Sequence, residues 1–412
     1  MSNVINSSHD LYKFIVSRNA KIVANLLYTW SPGHTVSEID NFLRMKRLGE
    51  IEPNQLYILP MSAGPVAHYI TAFYQDKFGA AQNNILVVND VLFKMALEIG
   101  ALLPELTVDP GLSHTKYART AGMECGLFPF SRYGVLTYMV RNHAVIDAHR
   151  EYFRRRQQTA DYNPWIPAPE LSPDVAAFIG GNPERIALIH LRYGRTPGNA
   201  GTSTAAEALL PTLGYLKDNG FTIVQMGSYE GYPPEFEPFG VVNYGKSPHQ
   251  NFLNDMALFR AAKVALVNAS GLGFTGDLMG TPTVYYGYWH LEMPLPGHNC
   301  VNLPSMLQRR DNGRPIRFRE QSDLLRRQTM APWEDDGTNR FWLFPKDDYE
   351  ERPPAPDEIL AATQEAIAVA ADPATPLTAL QAQFNRLDPD GCYPYNDSRV
   401  CRFFLERFAD AL

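Results

Sequence analysis

The chain has 412 residues, 45% of them hydrophobic and 20% charged, and a formal net charge of −7. This length predicts two domains, and the acidic balance argues against nucleic acid as a partner. No apolar run approaches the ~18 residues of a membrane span, the first residues lack a signal-peptide pattern, and the four scattered cysteines fit a reducing compartment. A cytoplasmic protein without a transmembrane segment is expected.

The first half of the chain alternates strand and helix patterns. The first strand is predicted at residues 21–28, and a loop at residues 29–34 (TWSPGH) leads into helical spacing from Val36 onward. Further strands are predicted at 55–59, 84–88 and 134–140, with helices that include 66–78 and 91–99. This alternation is typical of an α/β fold, in which helices cover both faces of a parallel sheet.

The proline-rich residues 161–169 (DYNPWIPAP) predict an interdomain connection. A second alternating series follows. Its strands are predicted at 185–189, 221–225, 240–243, 264–267 and 283–286, and its helices at 205–219 and 251–261, with helices at 357–371 and 399–408 near the end of the chain. The predicted domains are residues 1–165 and 166–345, and residues 346–412 form a helical segment expected to pack back on the first domain. Two such halves would enclose a cleft at the carboxyl ends of their strands.

Residues 268–276 (NASGLGFTG) follow directly on a predicted strand. Small residues that open a helix direct backbone N–H groups at one spot, and this attracts phosphate. The spacing is also that of the dinucleotide fingerprint, which needs a longer helix and then an acidic residue at the end of the next strand. Here residues 280–282 (GTP) stop the helix, and the next strand ends in Gly287. The favoured interpretation is a diphosphate cradle formed by Ser270, Gly271 and Leu272; a dinucleotide site and a plain glycine turn are the alternatives.

Two further sets of residues end strands of the second half. His190 and Arg192 lie on one face at the end of a strand, where an arginine fork can grip a diphosphate, and Arg195 follows in the loop. The alternatives are a buried, hydrogen-bonded histidine and an interdomain salt bridge. Gly227 and Ser228 end the next strand and are predicted to receive the base or ribose, with a plain glycine turn as the alternative.

His34 lies in the loop between the first strand and the first helix, which predicts that it faces the cleft. A histidine that titrates near neutrality suits the general base for an acceptor hydroxyl. Its orienting carboxylate is one of Asp90, Asp109 and Glu124, and a helix-capping or exposed histidine is the alternative. The sequence has no D-x-D, H-E-x-x-H, C-x-x-C or P-loop pattern, so no metal and no cofactor is expected.

Six segments carry a resemblance to a family of bacterial glycosyltransferases associated with surface polysaccharide or flagellar glycosylation. They are residues 42–49 (FLRMKRLG), 189–192 (IHLR), 224–227 (VQMG), 252–256 (FLNDM), 268–272 (NASGL) and 280–282 (GTP). The resemblance implies the GT-B fold, with two Rossmann-like domains that face each other across a cleft. It makes residues 1–165 the acceptor side and residues 166–345 the donor domain, with Ser270, Gly271 and Arg192 at the donor diphosphate.

Two shorter likenesses add to this. His190-Leu191-Arg192 is similar to the H-x-R element of fucosyltransferases, whose arginine binds the GDP diphosphate, but Arg195-Thr196 stands where those enzymes have an acid, so fucose is not implied. Pro32-Gly33-His34 is similar to the G-H loop of inverting GT-B enzymes, where the histidine is the base.

The expected protein is thus an inverting, metal-independent glycosyltransferase. It would move a sugar from a nucleoside diphosphate sugar to the hydroxyl of a glycan, protein or small-molecule acceptor. Three alternatives stay open: a nucleotide-sugar 2-epimerase on the same scaffold, which would need paired acids at the donor sugar, an NAD(P)-dependent oxidoreductase, and an inactive protein that binds the donor without turnover.

Overall fold

A computed structural model describes residues 9–10, 13, 22–24, 32–51, 56–60, 85–88, 91, 151–162, 170–191, 205–227, 232–289, 291, 294–327, 347–387 and 398–412. The chain divides into two compact units, Met1–Pro167 and Ala168–Leu412. The predicted domain boundary, between residues 165 and 166, lies beside this division. Both units contain a parallel sheet and helices, so the predicted α/β class is confirmed.

The described part of the first unit contains a parallel sheet in the order β1 (Ile22–Ala24), β2 (Leu56–Pro60) and β3 (Ile85–Val88). Helix α1 (Pro32–Leu48) connects β1 to β2. It starts earlier than the sequence predicts, because a proline suits the first turn of a helix, where its missing N–H has no partner to lose. His34 therefore lies in the first turn of α1 rather than in a loop. Predicted helices 66–78 and 91–99 and strand 134–140 fall outside the described residues, apart from the helical residue Val91.

A buried polar network joins α1 to helix α2 (residues 151–158). The carboxylate of Asp40 accepts hydrogen bonds from Arg44 Nε at 2.7 Å and from the Tyr152 hydroxyl at 2.8 Å. Arg44 Nη1 also donates to the carbonyl and hydroxyl oxygens of Thr159, at 3.0 and 2.6 Å. Because Asp40 and Arg44 are buried, each charge depends on these partners. The network fixes the orientation of α1, the helix that carries His34.

The second unit is built on a larger parallel sheet. Its strands, in chain order, are β4 (Ile186–His190), β5 (Thr222–Gln225), β6 (Val242–Asn243), β7 (Val264–Asn268), β8 (Thr283–Tyr286), β9 (Cys300–Leu303), β10 (Met306–Arg309), β11 (Tyr349–Arg352) and β12 (Arg399–Val400). β10 and β11 form a separate antiparallel ribbon. The others form one sheet in the order β12-β9-β8-β7-β4-β5-β6, with every neighbouring pair parallel.

Helices cover this sheet. They are α3 (Pro173–Ile179), α4 (Leu210–Asp218), α5 (Phe252–Ala261), α6 (Gly271–Leu278), α7 (Phe318–Arg327), α8 (Pro356–Ala371), α9 (Ala379–Asn385) and α10 (Arg402–Arg407). Short 3-10 turns occupy Ala206–Leu209, Pro234–Phe239, Tyr244–Lys246 and Ala409–Ala411. All side chains of β4 and β7 are buried, as expected for central strands with covered faces. Among the described residues, no helix is long and apolar enough to cross a membrane.

The sheet is wider than the sequence predicts, because β9 and β12 extend it beyond β8. β12 has two residues, too few for a periodic signal, and it lies inside the segment predicted as a helix from residue 399. The C-terminal segment, residues 346–412, is expected to pack back on the first domain, and that contact stays a prediction. The segment belongs to the second unit, where α8 packs against α4 and β9, and α10 packs against α8. The buried face of α8 contains Ala362 and Ala366, whose small side chains let the helix lie close to its neighbours.

Candidate functional site

The candidate site lies where the strand order of the large sheet reverses. The chain moves from β4 outward to β6 and then returns to the other side of β4 to form β7, so the crossovers on β4 and β7 lead in opposite directions. Ligands of open α/β sheets bind at the carboxyl ends of the strands at such a point. His190 is the last residue of β4 and pairs with Val267 of β7. The turn at Ala269 and Ser270 follows β7 and opens α6.

Ser270 and His190 form a hydrogen-bonded pair across this point. Ser270 Oγ lies 3.2 Å from His190 Nδ1, and both residues are buried, with 9% and 1% of their surface exposed. Ser270 occupies the N-cap position of α6, yet its side chain makes no capping hydrogen bond. A serine at this position usually accepts a hydrogen bond from the first turn of its own helix. Here the hydroxyl is engaged by His190, so it caps neither Leu272 nor Gly273, the amides that a serine N-cap usually serves. The amide of Gly273 donates instead to the Ser270 carbonyl at 3.1 Å, and the Ser270 side chain leaves the amides of Gly271 and Leu272 to other partners.

Further hydrogen bonds tie together the carboxyl ends of β4, β7 and β8. The side-chain amide of Asn268 donates to the carbonyl of Tyr286 at 3.2 Å, and the amide of Ala269 donates to the same carbonyl at 2.9 Å. The Tyr286 hydroxyl donates to the carbonyl of His190 at 3.4 Å. Burial raises the pKa of Tyr286 well above its ordinary value, so its hydroxyl stays a neutral donor. The ends of the three strands are therefore held in register around the Ser270–His190 pair.

The glycines of α6 serve close packing. A Cβ on Gly273 would lie 2.8 Å from Cδ2 of Tyr285, and one on Gly276 would lie 2.9 Å from Oγ1 of Thr283. Both contacts are too short for a real side chain, so these positions hold α6 tightly against β8. β8 ends at Tyr286 and leads into Gly287, which has φ +74°. No carboxylate ends β8, where a dinucleotide fold would hold the ribose.

The loops after β5 and β6 meet at two glycines. Gly227 has φ +95°, and a Cβ on Gly245 would lie 1.7 Å from the carbonyl oxygen of Gly227. A glycine at position 227 lets another chain segment come close, and the backbone that does so is that of Gly245. The role of Gly227 in binding the base or ribose stays a prediction.

A half-buried acid lies beside this contact. Asp255 is in the first turn of α5, and burial raises its pKa to about 7, while a hydrogen bond from Tyr244 opposes the shift. Burial, together with the nearby Asp255, raises the pKa of Tyr244. Asp255 Oδ1 has no hydrogen-bond partner among the described residues. The residue that caps α5 is Asn251, whose Oδ1 accepts from the amide of Asn254 at 3.0 Å.

The structure brings four of the predicted site residues together. His190, Ser270, Gly271 and Leu272 meet at the switch point, and Gly227 lies at the carboxyl end of β5, which neighbours β4. The backbone of His34 lies in the first unit. Residues Arg192, Arg195, Ser228, Asp90, Asp109 and Glu124 fall outside the described residues.

Sequence reasoning missed Asn268 and Tyr286, which hold the strand ends together. Both are the last residues of their strands, and this position is the signal that could have identified them. The described part of the chain contains no group of three His, Cys, Asp or Glu side chains that could hold a metal ion.

No protein-family model matches the chain, and a search of curated proteins finds no match. Solved structures give looser matches. The chain is similar to the E. coli heptosyltransferase WaaC with ADP (13% identity, 69% of this chain and 90% of that chain, TM-score 0.36). It is also similar to E. coli ADP-heptose LPS heptosyltransferase II (13% identity, 85% and 98%, TM-score 0.40). A third match is the family 9 glycosyl transferase from Veillonella parvula DSM 2008 (12% identity, 85% and 96%, TM-score 0.40). At TM-scores this low the backbones overlap only loosely.

Proposed function

We propose that this protein is a glycosyltransferase of the GT-B type that moves a sugar from a nucleoside diphosphate sugar to an acceptor hydroxyl. The observation that carries the proposal is the uncapped start of α6 at the switch point of the large sheet. Ser270 is turned toward His190, and the first amides of α6 are left without its side-chain cap. A helix start of this kind at the carboxyl edge of a parallel sheet suits a diphosphate.

The same groups would stabilise the transition state of sugar transfer. As the bond between sugar and diphosphate breaks, negative charge grows on the departing phosphate oxygens. The amides of Gly271 and Leu272 and the positive end of α6, equivalent to about half a charge, are fixed before the reaction and aimed at that charge. Arg192, two residues beyond the end of β4, is proposed to add a cation. In this mechanism these donors, rather than a divalent cation, neutralise the leaving group.

His34 is proposed to accept the proton of the acceptor hydroxyl, with inversion at the anomeric carbon. Its helix is held by the buried network of Asp40, Arg44 and Tyr152, so the first turn of α1 has a fixed support. A general base must lie within hydrogen-bond reach of the proton that it removes, and only then does its pKa affect the rate.

A thermal-shift screen tests the proposal. The panel contains UDP, GDP, ADP, CMP, dTDP, their common sugar conjugates, NAD and NADP, each with and without magnesium. A nucleoside diphosphate at one hundred times its Kd is expected to add about 2.7 kcal/mol to the free energy of unfolding, without magnesium, and Arg192→Ala is expected to abolish this gain. Stabilisation by NAD or NADP alone would instead favour the oxidoreductase.

Transfer then separates an enzyme from an inactive binding protein. His34→Ala is expected to keep the thermal shift with the nucleoside diphosphate, because binding relies on the second unit, and to lose transfer to the acceptor. If His34→Ala changes neither quantity, His34 is not the base.

A further inference from the structure

The hydrogen bond between Ser270 and His190 admits two arrangements of one proton. A neutral imidazole has one nitrogen that donates and one that accepts, and a serine hydroxyl can do both. At a separation of 3.2 Å, either Ser270 donates to a bare Nδ1 or a protonated Nδ1 donates to Ser270 Oγ. The two arrangements give opposite properties to the side of the hydroxyl that faces the start of α6.

With a bare Nδ1, the hydroxyl hydrogen is committed to His190, and only lone pairs of Oγ are left for the start of α6. These lone pairs would repel phosphate oxygens. With a protonated Nδ1, His190 donates to Oγ, and the hydroxyl hydrogen is free to turn toward an anion. It would then join the amides of Gly271 and Leu272 as a third donor.

We propose that His190, when a diphosphate is bound, carries its proton on Nδ1 and thereby makes Ser270 a donor to that diphosphate. This inference rests on the proposed function and deepens it. It makes His190 a positioning residue that acts through Ser270, whereas the sequence predicts direct substrate contact. The imidazole stays neutral, since the proton gained at Nδ1 is lost at Nε2, so no net proton is taken up.

The burial and anchoring of His190 support this indirect role. The residue is 1% exposed, whereas Ser270 lies at the helix start itself. The Tyr286 hydroxyl, at the end of β8 on the far side of β7, donates to the His190 carbonyl at 3.4 Å. The ring presents Nδ1 to Ser270 at 3.2 Å.

A mutant cycle with inorganic pyrophosphate as the probe tests the coupling, with Kd measured by titration calorimetry. Ser270→Ala and His190→Leu are each expected to weaken pyrophosphate binding about tenfold, and the double variant is expected to bind no more weakly than either single variant. His190→Asn is expected to bind within about twofold of the wild type, because its amide N–H stands close to the position of Nδ1. Thr281→Val is the control: it removes a buried hydroxyl that donates to the Phe259 carbonyl at 2.6 Å, just beyond the other end of α6, and should leave the Kd unchanged.

The proton itself is measured by NMR of protein labelled with ¹⁵N at its 10 histidines, with the His190 signals assigned by their loss in His190→Asn. With pyrophosphate bound, Nδ1 is expected to show the shift of a protonated ring nitrogen and Nε2 that of a bare one. This measurement uses the wild-type protein, so it decides the question even if His190→Leu does not fold.

Three results would overturn the inference. The first is a bare Nδ1 with pyrophosphate bound. The second is a double variant whose loss of pyrophosphate affinity is the product of the two single losses. The third is a His190→Leu variant that binds pyrophosphate as tightly as the wild type. In these cases the wild type still binds pyrophosphate, and the proposed function stands. If the wild type binds neither pyrophosphate nor any nucleoside diphosphate, the proposed function falls and the inference falls with it.

Discussion

Ser270 Oγ lies 3.2 Å from His190 Nδ1, across the gap between the carboxyl ends of β4 and β7. This contact explains why a serine at an N-cap position does not cap its own helix. It also places the uncapped start of α6 at the point of an α/β sheet where ligands bind. The proposed function and the predictions that concern the site follow from this geometry.

Gly273→Ala is expected to destabilise the protein by about 1–3 kcal/mol, as overpacking does in a filled core. The new Cβ would lie 2.8 Å from Tyr285, so α6 must move away from β8, and this displaces the amides of Gly271 and Leu272. Nucleoside diphosphate binding should therefore weaken as well. Urea unfolding and calorimetric titration measure the two effects.

Gly214→Ala is the matched control, since it lies inside α4 and its Cβ would meet only an ordinary contact of 3.7 Å with Phe239. It is expected to stabilise the protein by about 0.5–1 kcal/mol, because alanine favours a helix interior. If Gly273→Ala and Gly214→Ala change the free energy of unfolding equally, α6 is not tightly packed against β8.

Asp255→Asn is expected to remove a pH dependence of stability. The folded protein keeps the Asp255 proton up to a pKa of about 7, whereas the ordinary value is 3.8. The folded state therefore binds more protons between these two values, and the contribution of Asp255 to the free energy of unfolding falls as the pH rises through that window. The effect is on the order of 4 kcal/mol at most, because each pKa unit corresponds to about 1.4 kcal/mol.

The measurement is urea unfolding at several pH values. The stability of Asp255→Asn relative to the wild type should rise from pH 4 to pH 7 and then stay constant. Asp218→Asn, which changes an exposed carboxylate at the end of α4, should parallel the wild type. A constant difference between Asp255→Asn and the wild type across this range would show that Asp255 ionises normally.

Glu358→Gln is expected to lower the free energy of unfolding by about 2–4 kcal/mol, near the range for breaking a buried ion pair. The Glu358 carboxylate is buried and accepts hydrogen bonds from Arg352 at 3.0 Å and Arg407 at 2.9 Å. This links α10 to the start of α8. Asp357→Asn removes the more exposed partner of Arg407 and should cost less than about 1 kcal/mol. If Asp357→Asn lowers the free energy of unfolding more than Glu358→Gln does, Asp357 and not Glu358 is the stabilising partner of Arg407.

Asp40→Asn is expected to destabilise the first unit by about 3–5 kcal/mol, because it leaves the buried Arg44 without a counter-charge. The control is Asp161→Asn, whose partner Arg47 lies 3.7 Å away on the surface and which should cost less than about 1 kcal/mol. Circular dichroism during urea unfolding measures both. If both Asp40→Asn and Asp161→Asn lower the free energy of unfolding by less than about 1 kcal/mol, the Asp40 network does not hold α1.

Periodic and turn signals predicted much of the fold. Predicted strands at 185–189, 221–225 and 283–286 correspond to β4, β5 and β8 within a residue at either end, because buried β-branched runs end at glycine or polar residues. β12 was missed because two residues carry no periodic pattern. β9 (CVNL) was missed because a polar asparagine interrupts it and it lacks the β-branched and aromatic run that marks β8 (TVYY). The contacts of α8 with α4 and β9 were not predicted, because an alanine-rich face shows that a helix is buried without showing which elements it packs against.

The site was predicted in part, for a physical reason. Strand ends and small residues placed His190, Ser270 and Gly271 at the carboxyl edge of the sheet, because their position depends on local pattern alone. Their role in binding stays a prediction. The orientation of the Ser270 hydroxyl depends on His190, 80 positions earlier in the chain. Long-range pairings of this kind, like that of Asn268 with Tyr286, have no local sequence signal.

The most direct test of the central claim is calorimetric titration of wild type, Ser270→Ala and Thr281→Val, in EDTA, with the nucleoside diphosphate that gives the largest thermal shift. The wild type and Thr281→Val should bind equally, and Ser270→Ala should bind about tenfold more weakly. Ser270→Ala binding as tightly as the wild type, or binding of NAD or NADP with no binding of nucleoside diphosphates, would contradict a diphosphate site at the start of α6.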